Sequence, residues 1–273
     1  MKINILDLTG KEIKKIDTPE QFNEEYHPNL IKRAVQVIQA NKRSAYGAKP
    51  RAGKRSSSKL SRRRKDYKGA YNHGMSRVPR KVSWRRGMQF GYVGAWAPGT
   101  VGGRKAHPPK AEKIWSKKIN IKEKRKAIRS SLSATLNLEI IKERNEIVPK
   151  NFPFFVSSDV EDSKKTKEVL TFLNKLGFKE ELERSSKKNV RAGKGKIRNR
   201  PYKKKLGPLI VVSKKCSLLK SALNLPGVDI VEIKNINSEL LAPGTQPGRL
   251  TLYTENSIEI LNKERLFLDK NTK

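Results

Sequence analysis

Lysine and arginine hold most of the chemical capacity of this chain, and they are unevenly spaced. Of 62 in all, 20 fall in residues 42–110 beside a single acid, Asp66, and 11 fall in residues 184–205 beside none. These segments carry +19 and +11 of a formal net charge of +36. The other 182 residues hold 31 bases and 25 acids and are nearly neutral. Ammonium and guanidinium groups at this density displace counterions from a polyanion, and guanidinium grips phosphate through two parallel hydrogen bonds. Nucleic acid is the commonest intracellular partner of that kind.

In the first segment the candidate contacts are Arg51, Lys54, Arg55, Arg62, Arg63, Arg64, Arg77, Arg80, Lys81, Arg85, Arg86, Arg104, Lys105, His107 and Lys110, with Trp84 as a stacking group. In the second they are Arg191, Lys194, Lys196, Arg198, Arg200 and Lys203. Tyr46, Tyr67, Tyr71, Phe90, Tyr92 and Trp96 also lie among the cations, where unstacked RNA bases would give them partners. Residues 42–110 hold ten of the 18 glycines and five of the 14 prolines. Their only branched aliphatics are Leu60, Val78, Val82, Val93 and Val101. Ordering a backbone costs roughly 1–2 kcal/mol per residue, more than so little apolar area repays. A long loop is expected, disordered when free and extended on a polyanion, with its middle near Arg77 farthest out.

Other chemistries find less support. Gly102-Gly103-Arg104-Lys105 precedes no predicted helix, and no Ser or Thr follows the lysines of Arg191-Ala192-Gly193-Lys194-Gly195-Lys196, so neither is a phosphate-binding P-loop. His27, His73 and His107 lie far apart. Cys216, alone, forms no intramolecular disulfide and no structural zinc site. It opens a predicted helix, which could lower its pKa, although a small residue facing that helix is the plainer reading. Asp159, Glu161 and Asp162 cluster at a strand end, and their simplest role is to complement the next helix's N-terminus. No catalytic residue, metal or cofactor is expected. No run of about 18 apolar residues occurs, so no membrane helix is expected.

The hydrophobic fraction, 35%, is below the usual ~45–50% because the basic segments dilute it. Elsewhere apolar runs alternate with helical spacing. Strands are expected at 3–8, 152–156, 209–212, 228–231 and 250–253. Helices are expected at 29–40, 122–142, 165–176, about 215–223 and about 255–262. This predicts an α/β fold: a single globular domain with a mainly parallel sheet flanked by helices, plus a long extended internal loop. The domain takes residues 1–43 and 111–273. The loop takes 44–110, and 184–205 is a basic surface segment within the domain.

Three stretches make the sequence specific. Met75-Ser76-Arg77-Val78-Pro79-Arg80 precedes Gly102-Gly103-Arg104-Lys105-Ala106-His107-Pro108-Pro109-Lys110. Val190-Arg191-Ala192-Gly193-Lys194-Gly195-Lys196-Ile197-Arg198-Asn199-Arg200 precedes Gly207-Pro208-Leu209-Ile210-Val211. Leu241-Ala242-Pro243-Gly244 precedes Pro247-Gly248-Arg249-Leu250 and Thr254-Glu255. In these, and over nearly its whole length, the chain resembles the universal large-subunit ribosomal protein four in its archaeal and eukaryotic form. It ends without the long basic extension usual in eukaryotic cytosolic members, which favours the archaeal type. The resemblance implies a structural, non-enzymatic constituent of the large ribosomal subunit in the cytoplasm, bound to 23S-type rRNA. Its loop would reach the nascent-peptide exit tunnel opposite large-subunit protein twenty-two, with the nascent peptide and neighbouring ribosomal proteins as further partners. The stretch between Arg86 and Gly102 departs from a cationic tip, being uncharged and carrying Phe90, Tyr92 and Trp96. The alternative is an RNA-modifying or RNA-processing enzyme with a basic arm.

Overall fold

A computed structural model describes residues 2–144 and 146–269. The chain runs Lys2–Leu6 (β1), Glu12–Asp17 (β2), Pro28–Asn41 (α1), Arg80–Arg86 (β3), Gln89–Gly94 (β4), Ile121–Ala134 (α2), Leu138–Glu143 (α3) and Phe154–Val156 (β5). It continues with Thr166–Lys175 (α4), Lys179–Ser186 (α5), Lys188–Val190 (β6), Tyr202–Lys204 (β7), Leu209–Val212 (β8) and Leu218–Ser221 (α6). Asp229–Glu232 (β9), Ser238–Leu241 (α7), Thr251–Tyr253 (β10) and Glu255–Lys263 (α8) follow. Two compact units result: Lys42–Ser116, and the residues on either side of it.

The flanking residues form a mixed α/β unit. One sheet has the order β2-β1-β5 and the other β10-β8-β9. Every pairing in them is parallel except that of β1 with β2, and a parallel bridge between Val156 and Thr254 links the two. Strands β5, β8 and β10 are buried along their whole length, so they read as continuous apolar runs. Successive side chains go to opposite faces. Phe154, Val156, Ile210, Val212 and Leu252 pack with Val169, Phe172 and Leu173 of α4. Phe155, Leu209, Val211 and Tyr253 pack with Ile128 and Leu132 of α2 and Ile258 and Leu261 of α8. Burying a residue of this kind contributes about 1.5–3 kcal/mol, so the two layers carry the stability of the unit.

The expected strands and helices are present, with changes that have local causes. The single helix expected over 122–142 is two. The Thr135 hydroxyl donates back to the Leu132 carbonyl at 2.7 Å and lies 3.0 Å from the Tyr253 hydroxyl, while Asn137 starts α3 by accepting from the Glu139 amide at 3.0 Å. Ile121, at the start of α2, and Leu138, at the start of α3, are exposed. The helix expected at 215–223 shrinks to α6. Cys216 precedes it, and burial pushes the thiol pKa up rather than down. Strand β2, helix α5 and the β6–β7 hairpin were unexpected: β2 is a charged edge strand, and the others sit in sequence dominated by charge.

Of the acids at 159–162, Glu161 does not serve the next helix. Glu161 turns inward under the C-terminal ends of β8 and β10. One carboxylate oxygen accepts from the Ser213 amide at 2.9 Å and the Thr254 hydroxyl at 2.6 Å, and the other accepts from the Ser213 hydroxyl at 2.6 Å. The side chain is thus satisfied as a tie between two strands. Glu161→Ala leaves three buried donors without an acceptor and should cost about 3 kcal/mol or more, whereas Glu161→Gln keeps part of the set and should cost about half as much. Urea unfolding of both variants checks this, and a loss below about 1 kcal/mol in Glu161→Ala would refute the role.

Candidate nucleic-acid interface

Lys42–Ser116 contributes nothing to the three hydrophobic clusters of the α/β unit and holds itself together by other means. Its two ends run side by side. The Ala48 amide donates to the Pro109 carbonyl at 3.0 Å, and Gly53 lies against the backbone of Gly103 and Arg104, where a Cβ would clash. Tyr46 stacks on Trp115 at 5.7 Å, and Arg43 and Lys113 sit over the Trp115 ring at 3.7 and 4.4 Å. Farther along, Lys59 and Arg80 exchange backbone hydrogen bonds of 3.0 and 3.2 Å, and the Trp96 indole donates to the Ser56 carbonyl at 2.5 Å. The chain thus makes two excursions, 60–79 and the β3–β4 hairpin, instead of one path out and back about Arg77.

The hairpin is antiparallel, with a bulge between Val82 and Trp84. Phe90 and Tyr92 share one face with Arg85, whose guanidinium lies 5.9 Å from the Phe90 ring. Tyr67 meets Phe90 edge-on at 5.5 Å, and His73 stacks on Tyr92 at 6.0 Å. Trp84 is opposite Gly91, and its indole covers the space a side chain there would need. The ring remains 56% exposed, so one apolar surface is open to a stacking partner. The aromatics expected to stack on bases therefore differ in setting: Trp84, Tyr67 and Tyr46 are about half exposed, and Phe90, Tyr92 and Trp96 are more covered by their contacts within the unit.

Nearly all the candidate cations are exposed. Arg51, Lys54, Arg55, Arg62, Arg63, Arg64, Arg77, Lys81, Arg85, Arg86, Lys105, His107 and Lys110 face solvent, while Arg80 and Arg104 are half-buried. Arg80 is partly occupied, donating to the Ser76 hydroxyl at 2.7 Å and carbonyl at 3.2 Å. Arg51, Lys54, Arg104 and Lys105 come together, with Lys49, around a groove of about 670 Å³ between 48–54 and 102–109. The one acid of 42–110 is spent internally: Asp66 binds the Lys59 ammonium at 2.8 Å, which holds its carboxyl below the usual range. Lys65 and Lys68 are equally exposed and were not among the candidates, although the run Arg62-Arg63-Arg64-Lys65 was a signal for the first.

In the second segment β6 and β7 form a short hairpin around the loop 191–201. Arg191 is half-buried and braces it, donating to the Arg200 and Tyr202 carbonyls at 3.2 and 3.3 Å, so it positions the loop. Lys194, Lys196, Arg198, Arg200 and Lys203 are exposed. Arg184, at the end of α5, turns inward instead, pairing with the buried Glu181 and donating to the Leu206 carbonyl at 2.8 Å. Among the described residues no group of three or more His, Cys, Asp or Glu side chains is placed to hold a metal ion, and no helix is long and apolar enough to cross a membrane.

The model of the ribosomal protein L4/L1 family matches residues 16–264. The chain belongs to this family. It is 45% identical over 268 residues to the large ribosomal subunit protein uL4 of Nanoarchaeum equitans, covering 98% of this chain and 100% of the relative. It is 42% identical to that of Archaeoglobus fulgidus (96% and 99% covered) and 41% identical to that of Methanocaldococcus jannaschii (97% and 99%). As an L4-family protein it is a component of the large ribosomal subunit, structural and not enzymatic, which removes the RNA-processing-enzyme alternative. In this L4-family chain the Trp84–Gly91 pair is testable without RNA. Gly91→Val should drive the indole off the hairpin and raise acrylamide quenching of tryptophan fluorescence, with the urea midpoint of the α/β unit unchanged. Unaltered quenching would mean that Trp84 is not held there.

Proposed function

We propose that this protein binds large-subunit rRNA through 42–110 and 184–205, and that the stretch 76–96 reaches the nascent-peptide exit tunnel beside protein twenty-two. The reading rests on one observation: 30 of the 36 excess positive charges lie on two segments, mostly as exposed side chains, whose single acid is already paired. A neutral body with basic extensions gains affinity from released counterions and leaves its own core intact. Membership of the family supports the tunnel part of this reading, since charge alone does not distinguish the tunnel from other rRNA cavities. The domain division belongs to the same proposal: 1–43 and 111–273 fold as the body, and 44–110 is the extended basic loop that enters rRNA, its hairpin retained.

Two measurements test it. Replacing Lys194, Lys196, Arg198 and Arg200 by glutamine should weaken rRNA binding. The log–log salt slope should shallow by up to about 0.9 for each phosphate left without its cation, hence by about 3 to 4 in all. An unchanged slope means that these side chains meet no phosphate. Deleting 76–96 should leave the body folded, because every large apolar cluster lies elsewhere. Ribosomes carrying the deletion should show altered arrest on stalling peptides or altered sensitivity to tunnel-binding drugs. Normal arrest and drug response would refute the tunnel placement, and an unfolded body would refute the domain division.

A further inference from the structure

Beneath the β3–β4 hairpin lies a second cavity of about 560 Å³, between its Phe90–Tyr92 face and the turn 64–75. Its walls are aromatic: Tyr67, Phe90, Tyr92 and His73 form a continuous set of rings with centroids 5.5 to 6.2 Å apart. The wall is tied to the turn across the cavity, because the Tyr92 hydroxyl donates to the Gly69 carbonyl at 3.0 Å. The rim is cationic, with Arg64, Lys65 and Lys68 all exposed, and the one acid beside them, Asp66, is held by Lys59. Exposed Gln89 adds an amide that can donate and accept. The backbone beside it includes a strained residue: Lys68 is left-handed at φ +60°, as is Asn72 at φ +67°, a residue type that tolerates it. Such conformations persist where they hold a functional shape, and lysine has no intrinsic preference for them.

We propose that this cavity receives a single nucleobase extruded from the RNA, stacked on the Tyr67–Phe90–Tyr92 wall with its phosphates on the Arg64–Lys68 rim. The inference rests on the rRNA-binding reading and adds to it a defined base site. Three features select this occupant. Flat rings supply π-faces that stack any base. The rim offers only cations to a ligand whose own charge is negative. A cavity this size, with five ring-bearing residues among its thirteen lining residues, beside Met75 and Met88, and one amide at its border, suits a planar heterocycle with polar edges better than an aliphatic side chain.

The test uses the full-length protein and a short RNA duplex carrying one bulged 2-aminopurine, whose fluorescence is quenched by stacking. The bulge-free duplex is the control. The protein should bind the bulged RNA about tenfold tighter than the control, as one stacked base provides, and should quench its fluorescence at saturation. Tyr67→Leu and Phe90→Leu should each remove most of both effects while leaving the salt slope unchanged. Tyr67 is half exposed, so its variant does not depend on the fate of the hairpin. Replacing Lys194, Lys196, Arg198 and Arg200 by glutamine should weaken binding of both RNAs equally and keep the quenching at saturation. Salt-dependent binding without quenching, or quenching that survives both aromatic variants, overturns the base site alone. Absence of any salt-dependent RNA binding overturns the rRNA reading as well.

Discussion

Repulsion between like charges is the constraint on which the rest of this protein depends. Thirty excess cations on two short segments cannot share a low-dielectric interior, where unpaired charge costs several kcal/mol per ion. The fold answers by exclusion. All three hydrophobic clusters draw on residues outside both segments. The body can then be an ordinary α/β layer structure, and the basic segments need only secondary structure that requires no core. Antiparallel hairpins meet that need, since each strand satisfies its partner's backbone and leaves both faces free for long cationic side chains. Both segments contain one.

Within the body, charge is handled in the opposite way. Glu146, Glu161 and Glu181 are buried, and each accepts a backbone N–H from a distant loop: Leu250, Ser213 and Ile147, at 2.6, 2.9 and 3.0 Å. Arg249, also buried, donates to the Gly207 carbonyl and to Asp229 at 2.8 and 2.6 Å. Burial raises the Glu146 pKa and lowers that of Arg249, against the pull of their partners. Desolvation thus outweighs the ion pair in both. What these groups contribute is placement: Glu161, Glu146 and Arg249 fix where the chain leaves β8 and enters β10, Glu181 holds the loop at Ile147, and removing one partner of such a pair strands the other at a cost of about 3–5 kcal/mol. The second basic hairpin springs from this framework, between the Glu181–Arg184 pair and β8.

The body was largely legible in the sequence because its signals are apolar and periodic. Leu209–Val212 and Phe154–Val156 are short runs with no polar interruption, and they are strands buried on both faces. The failures share one cause. Glu161 read as an exposed helix complement because a glutamate gives no sign of burial until its partners, Ser213 and Thr254, 52 and 93 residues away, are brought to it. The break at Thr135 depends on Tyr253 in the same way. In 42–110 composition announced the charge and the lack of a core, but not the hairpin. Its strands carry Val82, Trp84, Phe90 and Tyr92 among arginines and glycines, and the Trp84–Gly91 pair is visible only once the register is known.

That hairpin changes how the basic unit should be understood. A chain without a core has little to enforce strained backbone, yet Arg51, Lys68, Asn72 and Trp96 in this unit, and Asn199 in the second basic loop, all have positive φ. For Arg51, Lys68 and Trp96 this costs about 1 kcal/mol or more each, which the surroundings must offset. The internal restraints at hand are the Tyr46–Trp115 stack, the Lys59–Arg80 bridge, the Tyr92–Gly69 hydrogen bond and the aromatic set around Phe90. These are few against a repulsion of +19. On the rRNA reading, phosphate neutralisation removes the repulsion and leaves those restraints sufficient. The aromatics and glycines then prescribe the bound shape, while the lysines and arginines supply the free energy that makes the shape persist.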